Sequence, residues 1–402
     1  MSTLSSEPSP PEREKRAAEL VSRARELVPL LDRAGDSIEE ARYLPDGVLD
    51  ALHEARLFRL LIPRSCGGEE VDPVTFFKVL EVLAEGDASA AWCVNQGCGV
   101  SIAAAYLKPE VARTVFNDPR AVAASGPFTP KAKAVICEGG YRVTGAWSFA
   151  SGSKHSAWLC GVSRICEPDG QPRLGPGGQP LEPVTAVFPK SAAVVTDVWD
   201  VMGLQGTASD DYAVKDLFVP ADFCYTRDAY RDRREWGPLY NFSIYNLFGL
   251  GFSAVALGIA RRSLSEFIKL ARVKTPFGRT QRLAENNVIQ SEVGLADLKL
   301  KSSRAHVIET FQTFYRAAAE GEGEGPRPEL RAAQRSATCY AMHQAREVVN
   351  FVHHAAGTTA IFKGSPFERR FRDLQTLTQQ GQAAFANFES LGEVLLAEDA
   401  AG

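Results

Sequence analysis

Apolar residues recur at every third or fourth position through the first part of the chain. Between about Glu12 and Asp118 this spacing predicts amphipathic helices, because it places apolar side chains on one helical face. Asp72 followed by Pro73 is typical of a helix start, and another apolar helix is expected to begin near Ser89. The apolar positions that carry the pattern are Ala18, Val21, Ala24, Leu27, Leu31, Leu49, Leu52, Leu57, Phe76, Val79, Leu80 and Leu83. We therefore expect an N-terminal helical domain.

The pattern changes to short alternating runs between about Ala121 and Tyr230. Apolar and polar residues alternate there, and runs rich in Val, Ile, Tyr, Phe and Trp are separated by Gly, Pro and Asp. This combination predicts antiparallel strands joined by turns. The expected strands lie at 133–137, 141–146, 158–162, 184–188, 193–197 and 212–219. The segment therefore predicts a small β-domain.

Long helical stripes return between about Trp236 and Glu398. One stripe runs from Ile289 to Phe314 at three- and four-residue spacing, about seven turns of helix. The sequence GEGEGPRP at 321–328 predicts a turn before the next helix, and long stripes joined by short loops are typical of an antiparallel bundle. The fold class predicted is α+β and mainly α. The predicted divisions are a disordered lead-in at 1–14, an N-terminal helical domain at 15–120, a middle β-domain at 121–230 and a C-terminal bundle at 231–402.

Charge and apolar run lengths argue against two classes of partner. The chain has 402 residues, with 45 Lys and Arg against 49 Asp and Glu, for a net charge of −4. This balance offers no basic surface for nucleic acid. No apolar run reaches the length of about 18–20 residues that crosses a membrane, and the first residues do not predict a secretory signal. We expect neither nucleic acid nor a membrane as a partner.

The cysteines and histidines do not form recognisable metal or redox motifs. The eight cysteines are scattered without a CxxC pair, and the six histidines form no HExxH motif. Scattered cysteines in apolar surroundings are typical of reduced thiols in the cytosol. We therefore expect a cytoplasmic protein without a metal site.

The segment GAWSFASGSKH at 145–155 is the strongest candidate for chemistry. The chain contains no GxSxG elbow, no GxxxxGK[ST] loop and no GxGxxG turn between a strand and a helix. Trp147 is expected to provide a flat wall, and the hydroxyls of Ser148 and Ser151 to provide hydrogen bonds, for a heteroaromatic ring such as an isoalloxazine. The alternative interpretation is a strand that ends in a serine-rich turn. His155 is a further candidate, and its alternative role is a structural hydrogen bond.

Four motifs, in their order along the chain, resemble the acyl-CoA dehydrogenase superfamily. They are GGYRVTGAWSFASGSKH at 139–155, VMGLQGTASDDYAVKDLFVP at 201–220, KTPFGR at 274–279 with Gln290 downstream, and SPFERRFRD at 365–373. The resemblance implies an N-terminal helical domain, a middle antiparallel β-barrel domain and a C-terminal four-helix bundle. It also implies assembly into a homotetramer, or a homodimer, with a flavin between sheet and bundle that a neighbouring subunit completes.

Within the superfamily, the WSFASG form resembles the flavin-dependent monooxygenase branch. The dehydrogenases usually carry a catalytic glutamate in a Tyr-Glu-Gly sequence after the last motif, where this chain has Gln379, Gln380 and Gly381. An amide does not take the proton next to a thioester. The monooxygenases often have histidines at the positions of Gln375 and Gln380, so Gln380 is left here as a hydrogen-bond donor.

The resemblance implies FAD or FMN in reduced form, delivered by a separate NAD(P)H:flavin reductase, together with O2 and a small-molecule substrate. The candidate catalytic residues are Ser151, His155 and Gln380. The candidate cofactor-binding residues are Trp147, Ser148, Ser151, Gly203, Gly206, Thr207, Arg272, Phe277, Arg279, Gln290, Gly357, Thr358 and Gln379. Two alternatives stay open: an FAD-dependent acyl-CoA dehydrogenase or oxidase with a non-standard base, and a degenerate relative that binds flavin or another ligand without turnover.

Overall fold

The structure is a computed structural model that describes residues 10–320 and 328–398. The first helix begins at Pro10, so residues 10–14 of the predicted lead-in are helical rather than disordered. The rest of that lead-in, and the predicted turn at 321–328 except for its last residue, lie outside the described residues.

The N-terminal part of the chain is helical. Its helices are α1 (Pro10–Ala41), α2 (Asp46–Glu54), α3 (Pro73–Gly86), α4 (Ala88–Ser101) and α5 (Pro109–Phe116). Asp72 accepts hydrogen bonds from two backbone N–H groups in the first turn of α3, and Asp87 accepts one in the first turn of α4. Such caps satisfy N–H groups that have no partner within the helix. The helix starts predicted at Pro73 and near Ser89 are confirmed.

The middle part of the chain forms a mixed sheet. Its strands are β1 (Ala123–Ser125), β2 (Lys133–Cys137), β3 (Gly140–Ala150), β4 (Trp158–Cys166), β5 (Val184–Pro189), β6 (Val194–Thr196), β7 (Asp210–Pro220) and β8 (Cys224–Thr226). The order across the sheet is β6-β7-β3-β2-β4-β5-β8, and β1 pairs with β4. The pairings of β4 with β1 and with β2 are parallel. The other pairings are antiparallel, as predicted. The two parallel pairings of β4 were not predicted, because apolar alternation does not depend on strand direction.

The C-terminal part of the chain is a helical bundle. Its helices are α6 (Ile244–Val273), α7 (Asn287–Glu320), α8 (Pro328–Ala356), α9 (Glu368–Leu377) and α10 (Ala386–Glu398). Helix α6 is long and apolar enough to cross a membrane, but 83% of its most apolar window is buried inside the protein, as in a core helix. A Cβ atom at Gly251 would collide with Asn95 of α4, and one at Gly258 would collide with the backbone of α3. These glycines therefore let α6 approach the N-terminal helices closely.

The apolar core is divided between the helices and the sheet. The larger cluster joins the N-terminal helices to the bundle, and a second cluster lies inside the sheet. Hydrogen bonds from the end of β3 and from the loop before β7 reach α4 and α9. This junction brings together the motifs at 139–155, 201–220 and 365–373.

Candidate functional site

Buried hydroxyls lie in a row between the end of β3, the loop before β7 and helix α4. Ser151 Oγ is 2.7 Å from Ser209 Oγ, and Ser209 Oγ is 2.7 Å from Thr207 Oγ1. Trp92 Nε1 donates a hydrogen bond of 2.9 Å to Ser151 Oγ, and Thr207 Oγ1 donates one of 2.9 Å to Leu204 O. We call Ser151, Ser209 and Thr207 the hydroxyl cluster. The indole of Trp92 ties this cluster to the N-terminal helices.

The loop before β7 is held by helices on more than one side. Leu204 N donates to Asp373 Oδ1 at 2.7 Å, and Gly206 N donates to Ser89 Oγ at 3.2 Å. A Cβ atom at Gly203 would collide with the backbone of α9, and one at Gly206 would collide with a side chain of α1. The predicted cofactor residues Gly203 and Gly206 are thus buried, and they let the loop that carries the hydroxyls dock against the helices.

Trp147 lies inside the sheet. It is 1% exposed, its ring stacks on Tyr212 with centroids 5.1 Å apart, and its Nε1 donates to Val162 O at 2.9 Å. The prediction that Trp147 provides a flat wall for a cofactor is therefore wrong. The reason is the two-residue period of a strand, which assigns Trp147 to the inward face of β3.

Phe149 provides an exposed aromatic surface instead. Its side chain is 61% exposed, and its ring meets Trp199 edge-on with centroids 6.2 Å apart. The backbone of Phe149 is left-handed with φ 63°, and the register with β7 shifts between Trp147 and Ala150. This irregularity leaves both Ser148 and Phe149 exposed, whereas a regular strand would bury one of them. We call Phe149 and Trp199 the aromatic shelf; the signal that sequence reasoning missed was an aromatic residue directly between the candidate serines.

His155 is a half-buried, neutral imidazole beside the turn that follows β3. Its ring packs on Phe58 with centroids 5.4 Å apart. Burial lowers the pKa of His155 to about 3, so the ring carries no charge near neutral pH. Its Nε2 is buried and has no hydrogen-bond partner among the residues that the structure describes.

Gln379 and Gln380, in the connection from α9 to α10, have partners in that connection, in α8 and in α9. Gln380 Oε1 accepts a hydrogen bond from Gln382 N at 2.7 Å, and Gln380 Nε2 donates to Met342 Sδ at 3.3 Å. Gln379 is exposed, and its Nε2 donates to Gln375 O at 3.4 Å. These contacts join neither amide to the hydroxyl cluster.

A cation and a glycine turn lie together at the end of α8. Lys274 Nζ donates to Ala356 O at 2.6 Å and to Thr359 Oγ1 at 2.8 Å. These acceptors flank Gly357 and Thr358, which are exposed, and Gly357 has φ 58°. We call Lys274 with residues 356–359 the glycine turn. Sequence reasoning named the arginines of this region and missed Lys274, although it begins the KTPFGR motif.

The other predicted cofactor residues of the bundle are on the surface of the single chain. Arg272, Arg279 and Gln290 are exposed, and Phe277 is fully exposed. Gln290 Nε2 donates to Ala284 O at 2.9 Å. Their contact with a flavin, directly or from a neighbouring subunit, stays a prediction.

Two buried carboxyl groups lie behind the loop before β7. Asp373 is 3% exposed and Asp87 is 4% exposed, and both line a cavity of about 310 Å³ between α1, α6 and α9. Burial, and then the neighbouring Asp87, raises the pKa of Asp373 to about 7. Burial raises the pKa of Asp87 to about 6. Because Asp373 also accepts the hydrogen bond from Leu204 N, its charge bears directly on the loop that carries the hydroxyl cluster.

The bundle and the whole architecture match known proteins. Residues 250–383 match the family described as acyl-CoA dehydrogenase, C-terminal domain. The structure of XiaF from Streptomyces sp., in complex with FADH2 and glycerol, superposes with a TM-score of 0.87 at 23% identity, over 96% of this chain and 97% of that one. The fold is that of the acyl-CoA dehydrogenase superfamily. The fold class expected from the four motifs is confirmed, and the match of residues 250–383 agrees with the expected superfamily.

Curated relatives within this superfamily carry monooxygenase names. The chain is 29% identical over 356 residues to indole-3-acetate monooxygenase from Pseudomonas putida, covering 88% of this chain and 87% of the relative. It is 26% identical over 356 residues to the oxygenase subunit HsaA of a flavin-dependent monooxygenase from Rhodococcus jostii strain RHA1, covering 86% and 90%. These relatives agree with the branch that the WSFASG form predicted.

Proposed function

We propose that the protein is the oxygenase component of a two-component flavin-dependent monooxygenase. It uses reduced FMN or FAD and O2 to oxygenate a small organic substrate. The observation that carries this proposal is a buried hydroxyl, Ser151, two residues from an exposed aromatic shelf, in a chain whose curated relatives are monooxygenases. A separate NAD(P)H:flavin reductase supplies the reduced flavin.

Two groups of residues fit a flavin: the aromatic shelf with the hydroxyl cluster at the junction of sheet and helices, and the glycine turn at the end of α8. The aromatic shelf presents the ring of Phe149 to a flat partner. Ser151 Oγ, at the end of the hydroxyl cluster, would hold the N5 edge of the ring. Lys274 and the exposed Gly357 and Thr358 fit the phosphate, since a cation and backbone groups with positive φ favour anions. Reduced flavin, when bound, supplies the electrons that activate O2.

Aromatic packing behind Ser151 keeps this region dry. Trp92 is 8% exposed and stacks on Phe252 of α6 with centroids 4.3 Å apart, and Phe248 lies 6.3 Å from Phe252. The indole of Trp92 therefore holds Ser151 by its N–H and covers it with apolar surface. Exclusion of water strengthens each hydrogen bond made there and limits side reactions.

The connection from α9 to α10 favours an oxygenase over a dehydrogenase. Removal of a proton next to a thioester needs a base within hydrogen-bond reach. The side chains at this position are the amides of Gln379 and Gln380, and Gln380 is occupied with Gln382 N and Met342 Sδ. An amide holds and orients a partner but does not take its proton.

The protein is proposed to assemble as a homotetramer, or as a homodimer, through the bundle. Large apolar side chains are exposed on α6, α7, α8 and α10 and in the connections between the bundle helices, and such surface is typical of protein contacts. The exposed residues are Val273, Phe277, Val288, Leu295, Leu298, Tyr340, Ile361, Phe362, Phe385, Leu395 and Leu396. A cytoplasmic location is also proposed, because all eight cysteines are free. Sedimentation at micromolar concentration tests the assembly, and a monomer contradicts it.

One set of mixing experiments tests the function. The purified protein is mixed anaerobically with reduced FMN or FAD, exposed to isotopically labelled O2, and supplied with a panel of indoles and phenols. Label in an organic product supports the oxygenase. Bleaching of the oxidised flavoprotein by acyl-CoA, without oxygen incorporation, supports the dehydrogenase, and failure to bind either flavin rejects both.

A further inference from the structure

The hydroxyl cluster has a donor at one end and an acceptor at the other. Trp92 Nε1 carries a hydrogen and accepts none, so it only donates to Ser151 Oγ. Leu204 O carries no hydrogen, so Thr207 Oγ1 donates to it. Each hydroxyl between these ends has one hydrogen and two lone pairs. The donor at one end and the acceptor at the other therefore determine in which direction the hydroxyls between them donate their hydrogen bonds.

One direction along the cluster satisfies every hydroxyl hydrogen. Ser151 donates to Ser209, and Ser209 donates to Thr207. Thr207 then donates to Leu204 O. In the opposite direction the hydrogen of Ser151 points out of the cluster, where the described part of the chain offers it no acceptor. A buried donor without an acceptor costs free energy, so the first direction is favoured.

In the favoured direction Ser151 offers a ligand a lone pair and no hydrogen. It accepts from Trp92 and donates to Ser209, which leaves one lone pair free. The N5 atom of an oxidised isoalloxazine is an acceptor, whereas the reduced ring carries an N5–H donor. The Ser151 hydroxyl is therefore complementary to the reduced ring and mismatched to the oxidised ring.

We infer that Ser209 and Thr207 are positioning residues that orient the Ser151 hydroxyl so that the site selects reduced over oxidised flavin. The inference rests on the proposed function, which puts the N5 edge at Ser151. With reduced flavin, the cluster keeps all its hydrogen bonds and gains one from N5–H. With oxidised flavin, Ser151 turns its hydrogen to N5 and one hydrogen bond in the cluster is lost. One net hydrogen bond corresponds to about three- to tenfold in affinity.

Matched substitutions at Thr207 test the orientation. Thr207→Val removes the hydroxyl with little change of shape, and Thr207→Ser keeps it. Dissociation constants of reduced and oxidised FMN are measured anaerobically for each protein. The wild type and Thr207→Ser are expected to bind reduced FMN more tightly than oxidised FMN. In Thr207→Val this preference is expected to fall by about three- to tenfold, because Ser209 then turns its hydrogen toward Ser151. Equal affinities in the wild type, or an unchanged ratio in Thr207→Val, overturn the inference.

Ser209→Ala interrupts the hydroxyl cluster at a second point, and it provides the same test if Thr207→Val does not fold. Without the Ser209 hydroxyl, the Ser151 hydrogen is free to bond the oxidised ring. The preference for reduced over oxidised FMN is therefore expected to fall by the same factor. General damage to the site would weaken both forms alike and leave the ratio unchanged. The midpoint potential of bound FMN gives an independent reading, since a tenfold fall in the preference for the reduced form lowers it by about 30 mV for a two-electron couple.

A failure of the proposed function can be distinguished from a failure of the orientation by Ser209 and Thr207. A wild-type protein that binds neither FMN nor FAD in either redox state overturns the proposed function. A wild-type protein that prefers reduced flavin, with variants that keep its ratio, overturns only the orientation by Ser209 and Thr207.

Discussion

The two ends of the candidate flavin site differ in how completely the single chain builds them. At the ring end, the hydroxyl cluster is buried, and its hydrogen bonds run from Trp92 to Leu204. At the other end, Gly357 and Thr358 are exposed, and Lys274 Nζ donates to two acceptors of the glycine turn. The ring end is thus preorganised by the fold, whereas the phosphate end depends on exposed groups that solvent screens.

This difference predicts that substitutions of buried residues near the ring end change the stability of the fold, and that the effects of substitutions at the phosphate end depend on ionic strength. Trp147 and Phe149 sharpen the contrast further, because they are two residues apart on β3 with opposite exposure.

The largest effect is expected from Trp147→Ala. Its indole fills the core of the sheet, so the substitution leaves a cavity and should lower the free energy of unfolding by about 3–5 kcal/mol. Denaturant unfolding measures this. A loss below about 0.5 kcal/mol, which is typical of a surface substitution, would mean that the indole does not support the core.

Phe149→Ala should leave the stability of the fold almost unchanged and weaken flavin binding. Because the ring is mostly exposed, the free energy of unfolding should change by less than about 0.5 kcal/mol. The affinity for reduced riboflavin should fall by about three- to tenfold, because the aromatic contact is lost. Phe218→Ala removes another exposed ring of the same sheet and is the control. Equal affinities in the two variants would remove Phe149 from the site.

Lys274→Met tests the phosphate end. The affinity for reduced FMN should fall by about two- to fivefold, whereas that for riboflavin, which has no phosphate, should not change. The difference should shrink at high salt, because the glycine turn is exposed. Lys301→Met, at an exposed lysine of α7, is the control. An equal loss for FMN and riboflavin contradicts a phosphate contact.

The smallest effect is expected from Asp373→Asn, and it depends on pH. The folded state holds the pKa of Asp373 near 7, above the value in an unfolded chain, so the folded carboxyl takes up its proton first as pH falls. This group therefore stabilises the fold as pH falls from about 7 to about 4 and disfavours it above 7. The amide keeps an acceptor for Leu204 N and lacks that charge.

Thermal unfolding across this range measures the effect. The midpoint temperature of unfolding should be a few degrees higher for the variant than for the wild type at pH 8, and this difference should disappear near pH 4. Asp200→Asn, at an exposed carboxyl ahead of the same loop, is the control. A difference between Asp373→Asn and the wild type that stays constant with pH would show that Asp373 does not titrate in this window.

Local sequence patterns predicted much of the fold and part of the site. Asp72 and Asp87 cap helices where the sequence placed helix starts, since a cap depends on residues within one turn. Ser151 and Thr207 were named from their motifs, and the structure joins both in the hydroxyl cluster. The hydrogen bonds that join Trp92 and Ser209 to Ser151 were not predicted, because nothing in the sequence tells that α4 and the loop before β7 meet at Ser151.

The sequence by itself determined the order of helices, sheet and helices, the resemblance to the acyl-CoA dehydrogenase superfamily, and the small residues and hydroxyls from which the candidate site is built. These depend on periodicity and on motifs that act over a few residues. Only the tertiary structure decided that Phe149 rather than Trp147 faces outward, because a left-handed residue and a shift in strand register break the alternation there. It also decided that Lys274 contacts residues 356–359 and that hydroxyls from separate segments form hydrogen bonds with one another. These contacts depend on the packing of elements that are distant in the chain.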